Sequence, residues 1–144
     1  MIRRDEIVAA ARGWRGTPYC HQASCKGAGA DCLGLVRGVW REVMGAEPER
    51  APAYSPGWAE SGGGDALLEA ARRHLTEIPC TSFLAGDVLL FRWRRHLPAK
   101  HAGIAISADS MIHAQEGAAV AEVALSAWWR RHLAFAFRFP GVPD

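Results

Sequence analysis

The tightest constraint on this chain is a helix that opens with a cysteine: Asp31-Cys32-Leu33-Gly34-Leu35-Val36-Arg37-Gly38-Val39-Trp40. Apolar side chains recur at Cys32, Leu35, Val36, Val39, Trp40 and Val43, the i, i+3, i+4 stripe of a helix that buries one face. Gly34, Arg37, Gly38, Arg41 and Glu42 fall on the other side. The period predicts about three turns. Asp31 is a good N-cap, because its carboxylate can accept from the free N–H groups of the first turn, and this puts Cys32 at the first helical position. Glycines at 34 and 38 each cost about 1 kcal/mol against alanine in a helix, so another element is expected to pack very close to this one.

A thiol at a helix start sits at the positive end of the helix dipole. There, or beside a cation, a cysteine pKa can fall from about 8.5 to between roughly 3.5 and 7.5. Asp31 pushes the other way, so an activated Cys32 needs an imidazolium partner as well as the dipole. The plainer alternative is a buried cysteine in a helix stripe, since free cysteine is among the most buried residue types. The capped terminal position and the two glycines argue against it.

The chain has 144 residues, enough for one domain, 1–144, that buries about 68–70% of the surface its unfolded form exposes. A net charge of +2 and a pI near 8.5 are too mild to predict a nucleic-acid partner. The N-terminus has two arginines but no apolar core of the 7 to 15 residues a signal peptide needs, and no run of about 18 apolar residues occurs. The expectation is therefore synthesis in the cytoplasm, no membrane span and no export by a signal peptide. Four cysteines, at 20, 25, 32 and 80, read as reduced thiols. Cys20, His21, Cys25 and Cys32 cluster, but the second short-spaced pair of a structural zinc site is missing, so no metal and no cofactor are assigned.

Along the chain, residues 5–14 read as a first helix with Ile7, Val8, Ala11 and Trp14 on one face. A loop through Tyr19, His21 and Gln22 and the small residues 23–30 delivers the chain to Cys32. Those three side chains can supply hydroxyl, imidazole and amide groups to the thiol's surroundings, or serve as ordinary loop residues. Residues 45–64 are rich in proline and glycine and have no apolar period. They read as an irregular excursion whose Tyr54 and Trp58 either wall a groove or pin the loop. A third helix starts at Asp65, with Leu67, Leu68, Ala71 and Leu75 as its stripe, and ends before Pro79.

From residue 84 the period becomes strand-like. Strands are expected over 86–93, 101–107, 110–116 and 119–125, then a short helix or turn over 126–133 and a last strand over 134–140 with Phe135, Phe137 and Phe139 on one face. Helices first and strands after describe an α+β domain, with helices against a mainly antiparallel sheet. His101 and His113 stand on neighbouring strands. A thiol at a helix start plus a strand histidine is the minimum for nucleophilic catalysis, and a second residue orienting that histidine completes a triad.

Counting fixes how the two histidines can meet. A two-residue turn at Ala108-Asp109 pairs Ser107 with Ser110 and so, without a bulge, Ile104 with His113, which throws the two rings onto opposite faces. A three-residue loop, 107–109, pairs Gly103 with His113 and leaves His101 as its diagonal neighbour on the same face. The expectation is the second arrangement, with Asp109 at positive φ and both rings on the side facing Cys32.

The runs Gly16-Thr17-Pro18-Tyr19, Asp31-Cys32-Leu33-Gly34-Leu35-Val36, Gly86-Asp87-Val88-Leu89-Leu90-Phe91, His101-Ala102-Gly103-Ile104-Ala105-Ile106 and Met111-Ile112-His113-Ala114 resemble, in order and spacing, the NlpC-type cell-wall cysteine peptidases. The stretches 19–24 and 127–140 are similar to the subgroup found in phage tails and gene transfer agents. The resemblance implies a papain-like α+β fold, Cys32 as nucleophile, His101 as base and His113 as the residue that orients it. It implies cleavage of peptidoglycan stem peptides, commonly between D-glutamate and a diamino acid, by an enzyme docked on tail hub or tail-tip proteins. Tyr19 matches a tyrosine beside the nucleophile, and with His21, Gln22 and Asp31 it is assigned to the oxyanion and substrate pocket. Leu33 replaces a serine common in the family, and His21-Gln22 replace the usual glycines. Two other functions compete: an inactive structural or plug component of a tail, and an anionic-polymer binding module using Arg92, Arg94, Arg95 and Lys100.

Overall fold

From His101 to Ile106 every residue is buried, although the run alternates between two faces of a sheet. A strand of this kind must be covered on both sides, and the remaining elements do this. In the computed structural model, which describes residues 2–49 and 66–143, the helices are α1 (Arg4–Arg12), α2 (Cys32–Val43), α3 (Ala66–His74) and α4 (Ala127–His132). The strands are β1 (Ser24–Cys25), β2 (Gly29–Ala30), β3 (Thr76–Ile78), β4 (Val88–Phe91), β5 (His101–Ser107), β6 (Ser110–His113), β7 (Ala121–Ala124) and β8 (Leu133–Arg138). Six of them form one sheet in the order β3-β8-β4-β5-β6-β7 with every pair antiparallel, and β1 and β2 make a separate small hairpin. The α+β architecture is the one expected. Among the described residues no helix is long and apolar enough to cross a membrane.

On one face Val88, Leu90, Ala102, Ile104, Ile112, Phe137 and Phe139 pack against Ile7 and Ala11 of α1, Leu35 and Val39 of α2, and Leu67, Leu68 and Ala71 of α3. On the other, Leu89, Phe91, Ala105, Met111 and Ala136 pack against Trp93, Trp129 and Leu133. The close approach to α2 that its glycines predict is present twice. A Cβ on Gly34 would run into the carbonyl oxygen of Ala23, and one on Gly38 would overlap the Trp14 indole.

Asp87, fully buried at the head of β4, ties three distant segments together. Its carboxylate accepts from Arg138 Nε at 3.1 Å and Nη2 at 2.9 Å, from Arg4 Nη1 at 3.0 Å and from the Leu84 N–H at 2.8 Å. The ends of α1, β4 and β8 therefore share one carboxylate.

Several boundaries and two elements differ from the sequence reading. α1 ends at Arg12 and continues as turns through Gly16. The strands expected at 86–93 and 110–116 are shorter, because their flanks turn away. β3 and the β1–β2 hairpin carry too few residues for any period to show. Asp65 and the Tyr54 and Trp58 of the 45–64 excursion lie outside the described residues. The β5–β6 connection is corrected. Gly103 does stand opposite His113, but Ser107 pairs with Ser110 across a two-residue turn, and the register shifts between Ala105 and Ser107. A bulge at Ile106, not a longer loop, supplies the extra residue. Asp109 does not take positive φ; among the described non-glycine residues only Gln22 does. Ser107 Oγ accepts the Asp109 N–H at 3.1 Å and lies 3.0 Å from Ser110 Oγ, which satisfies the turn without a left-handed residue.

Removing Asp87 leaves two guanidinium groups facing a buried hole. Asp87→Ala should cost about 3–5 kcal/mol in urea unfolding. A loss under about 1 kcal/mol would show that the ends it joins are held by other contacts.

Candidate active site

Asp31, buried ahead of α2, uses both carboxylate oxygens. Oδ1 accepts the Gly34 N–H at 2.7 Å, the N-cap bond that the sequence predicts, and Oδ2 accepts the Gln22 N–H at 2.7 Å. The second bond draws the Tyr19–Gln22 loop against the start of α2. Gln22 is held there at φ 66°, a conformation glycine enters more easily, and its residue is exposed. His21 Nδ1 is 3.8 Å from Asp31 Oδ2. From the far side, the Ser24 hydroxyl donates to the Gly34 carbonyl at 2.6 Å, and Arg41 donates to the Ser24 carbonyl at 2.6 Å. Tyr19 is half-buried beside Ala30. Burial, followed by the charges of Asp31 and Cys32, pushes its hydroxyl up to about 12, so it is a hydrogen-bond donor at neutral pH.

Cys32 retains partial exposure while protein surrounds its sulfur. Burial, then the Asp31 charge, pushes the thiol up to about 12, and hydrogen bonds from the backbone N–H groups of Ala102, Leu33 and Cys32 oppose the rise. The Ala102 amide matters geometrically, because it follows His101 directly at the head of β5. The Cys32 sulfur thus meets the sheet one peptide away from His101.

His101 Nε2 and His113 Nδ1 are 2.8 Å apart, and both residues are buried. Gly103 makes this possible. It stands opposite His113 on the same face, and a Cβ there would press on Met111 Sδ and the Ile112 carbonyl oxygen. Burial, and secondarily His113, pulls the His101 imidazole down to about 3, and burial pulls His113 down to about 4. Both are neutral at pH 7. The expectation is that both rings lie on the side facing Cys32; the structure puts them on the sheet face opposite the one that Leu35 and Val39 of α2 cover. Alternation turns Ala102, Ile104 and Ile106 toward Leu35 and Val39, so His101 and His113 share the opposite face with Phe91 and Trp129. Cys32, on the α2 side, meets the Ala102 N–H at the start of β5.

The sequence pattern of the NlpC/P60 family matches residues 16–138. The chain belongs to the NlpC/P60 family. Among solved structures it is similar to an NlpC/P60 family protein from Bacillus cereus ATCC 10987, with 19% identity, TM-score 0.67, and coverage of 94% of this chain and 40% of that one. It is also similar to the NlpC/p60 domain of the peptidoglycan hydrolase SagA, with 26% identity, TM-score 0.65, and coverage of 94% and 98%. NlpC1 from Trichomonas vaginalis shows 17% identity, TM-score 0.64, and coverage of 94% and 43%. The chain thus spans about two fifths of the Bacillus cereus protein and nearly all of the SagA domain. No curated protein matches the sequence.

Within this NlpC/P60 fold the structure brings Tyr19, Asp31 and Cys32 together at one helix start and joins His101 to His113. His21 stands at the rim, and Gln22 contributes its backbone more than its amide. Among the described residues no three His, Cys, Asp or Glu side chains gather as a metal site would require. The sequence reading missed Trp93 and Trp129, whose rings lie 5.8 and 5.5 Å from His101. A signal for Trp93 existed: Phe91 pairs directly with His101, and Trp93 is two residues further along.

Both histidine pKa values lie below their ordinary 6.5 in the folded chain. Between the folded values of about 3 and 4 and that ordinary value, the unfolded chain binds protons that the folded chain refuses. Stability therefore falls as pH drops through this window. Thermal unfolding of the wild type should show a decline from pH 6.5 to pH 4 that is visibly shallower in His101→Gln. Equal slopes would show that His101 titrates alike in both states.

Proposed function

We propose that the chain is a cysteine endopeptidase that hydrolyses the stem peptides of peptidoglycan, with Cys32 as nucleophile, His101 as general base and His113 as the residue that orients it. The observation that carries the reading is the 2.8 Å contact from His101 Nε2 to His113 Nδ1, with the Ala102 N–H, next along the chain, at the Cys32 sulfur. If Nε2–H of His101 donates to Nδ1 of His113, the His101 Nδ1 lone pair is left for the thiol, and His113 carries its proton on Nε2. A protonated His113 would donate the other way and block the base. Its depressed pKa guards against that.

Both reacting groups rest neutral, so the thiolate forms as its proton passes to His101. The sulfur then attacks the amide carbonyl. The Cys32 N–H and the Tyr19 hydroxyl are suited to receive the developing oxyanion. His101 next protonates the leaving amine, and water hydrolyses the thioester with His101 as base. The SagA domain is that of a peptidoglycan hydrolase, which supports the substrate class. The resemblance of the runs at 16–19, 31–36, 86–91, 101–106 and 111–114 supports the D-glutamyl–diamino acid bond, and that of residues 19–24 and 127–140 supports delivery by a phage-like tail.

Purified peptidoglycan incubated with the protein should yield new stem-peptide termini by mass spectrometry, and Cys32→Ala should reduce them by a factor on the order of 10³ or more. No products from either would favour a structural tail component that keeps the fold without the activity, and equal products from both would remove Cys32 as the nucleophile. Recovery of the chain free in the cytoplasm and absent from purified tail particles would remove the delivery part alone.

A further inference from the structure

Aromatic rings close over the two histidines on the face of the sheet opposite α2. Trp129 touches both, with its ring centroid 5.5 Å from that of His101 at 27° between planes and 5.1 Å from that of His113 at 85°. Trp93 adds a second near-parallel ring, 5.8 Å from His101 at 26°. Trp129 is itself held edge-on by Phe91 at 5.0 Å and by Trp128 at 4.9 Å.

The helix that carries Trp129 is fastened to the hairpin that carries the histidines. Ser126 caps α4 by accepting the Trp129 N–H at 3.4 Å. Arg130 donates to the Leu125 and Ala108 carbonyls, each at 2.9 Å, and the Leu125 N–H donates to the Asp109 carbonyl at 2.8 Å. Residues 107–110 thus set where Trp129 lies relative to His101 and His113.

Two physical needs meet here. A hydrogen bond between neutral groups contributes only about 0.5–1.5 kcal/mol when water competes for both, and it strengthens where water is excluded. An imidazole can also turn over about its Cβ–Cγ bond, which puts a ring carbon where each nitrogen was, and only one orientation puts Nε2 on His113. A flat indole lying nearly parallel to the ring opposes that rotation. We propose that Trp129, assisted by Trp93, is a positioning residue that keeps water off the His101–His113 hydrogen bond and holds the His101 ring in the orientation that leaves Nδ1 for Cys32. This rests on the reading of Cys32 and His101 as the reacting pair.

The test combines proton NMR in water with steady-state kinetics on a soluble stem-peptide fragment, for the wild type and for Trp129→Phe, Trp129→Leu and Trp129→Ala. The wild type should show a slowly exchanging imidazole N–H from the histidine pair, retained in Trp129→Phe and lost to solvent exchange in the Leu and Ala variants. In those two, kcat should fall between roughly 10- and 100-fold with KM within about twofold, and Phe should restore most of it. Leucine fills volume without offering a flat ring, so Leu and Phe behaving alike would reduce Trp129 to packing and overturn the proposal. Persistence of the N–H signal in a folded Trp129→Leu protein would do the same. Because the NMR arm needs no substrate, a wild type with the Trp129-dependent N–H but without Cys32-dependent hydrolysis would refute the proposed function while leaving the shielding intact.

Discussion

A single buried carboxylate, that of Asp31, fixes the start of α2 and the loop in front of it at the same time. A helix N-cap ordinarily satisfies one free N–H of the first turn. Here the second oxygen takes the Gln22 N–H as well. Holding a non-glycine residue in left-handed conformation costs about 1–2 kcal/mol, and a hydrogen bond to a charged group contributes about 1.5–3 kcal/mol. The bond offsets a strain of similar size, and the loop that carries Tyr19 is tied to the start of α2. Charge has an opposite effect on the thiol, which Asp31 helps to push up. The arrangement favours positional definition of the Cys32 thiol over a standing thiolate.

The sheet that α2 packs on has two different faces. One face is an ordinary core, in which α1, α2 and α3 cover Val88, Ala102, Ile104 and Phe137. The other holds two histidines in aromatic surroundings. Cys32 packs with the first layer and His101 lies on the second face, and the start of α2 meets the start of β5. The amide of Ala102, at that junction, is the backbone group that meets the sulfur. Asp87 holds the β4 head that pairs with β5, through bonds to α1 and β8.

Much of this was legible in the sequence, for identifiable reasons. The α2 stripe and its cap were readable because they are local, and the glycines at 34 and 38 announced contacts with Ala23 and Trp14 that their spacing alone cannot name. The Gly103–His113 register followed from requiring both rings on one face. The device that achieves it did not, since a bulge at Ile106 and a three-residue loop produce the same pairing, and the side-chain bonds of Ser107 decide between them. β3 is three residues long and exists only because β8 pairs with it, so no periodicity marks it. The placement of Trp129 over the histidines depends on α4 folding back across the hairpin through Arg130, a long-range contact that tryptophan-rich composition does not predict.

The central claim is that Cys32 carries the acyl group of the cleaved bond, with His101 poised by His113. Intact-protein mass spectrometry of acid-quenched mixtures with a soluble stem peptide tests it directly. The account predicts a transient mass increase equal to the acyl fragment of the stem, mapping to the peptide that contains Cys32 and accumulating further in a variant slowed in deacylation. Hydrolysis of the stem with the acyl group on another residue, or with no covalent species at any quench time, would contradict it.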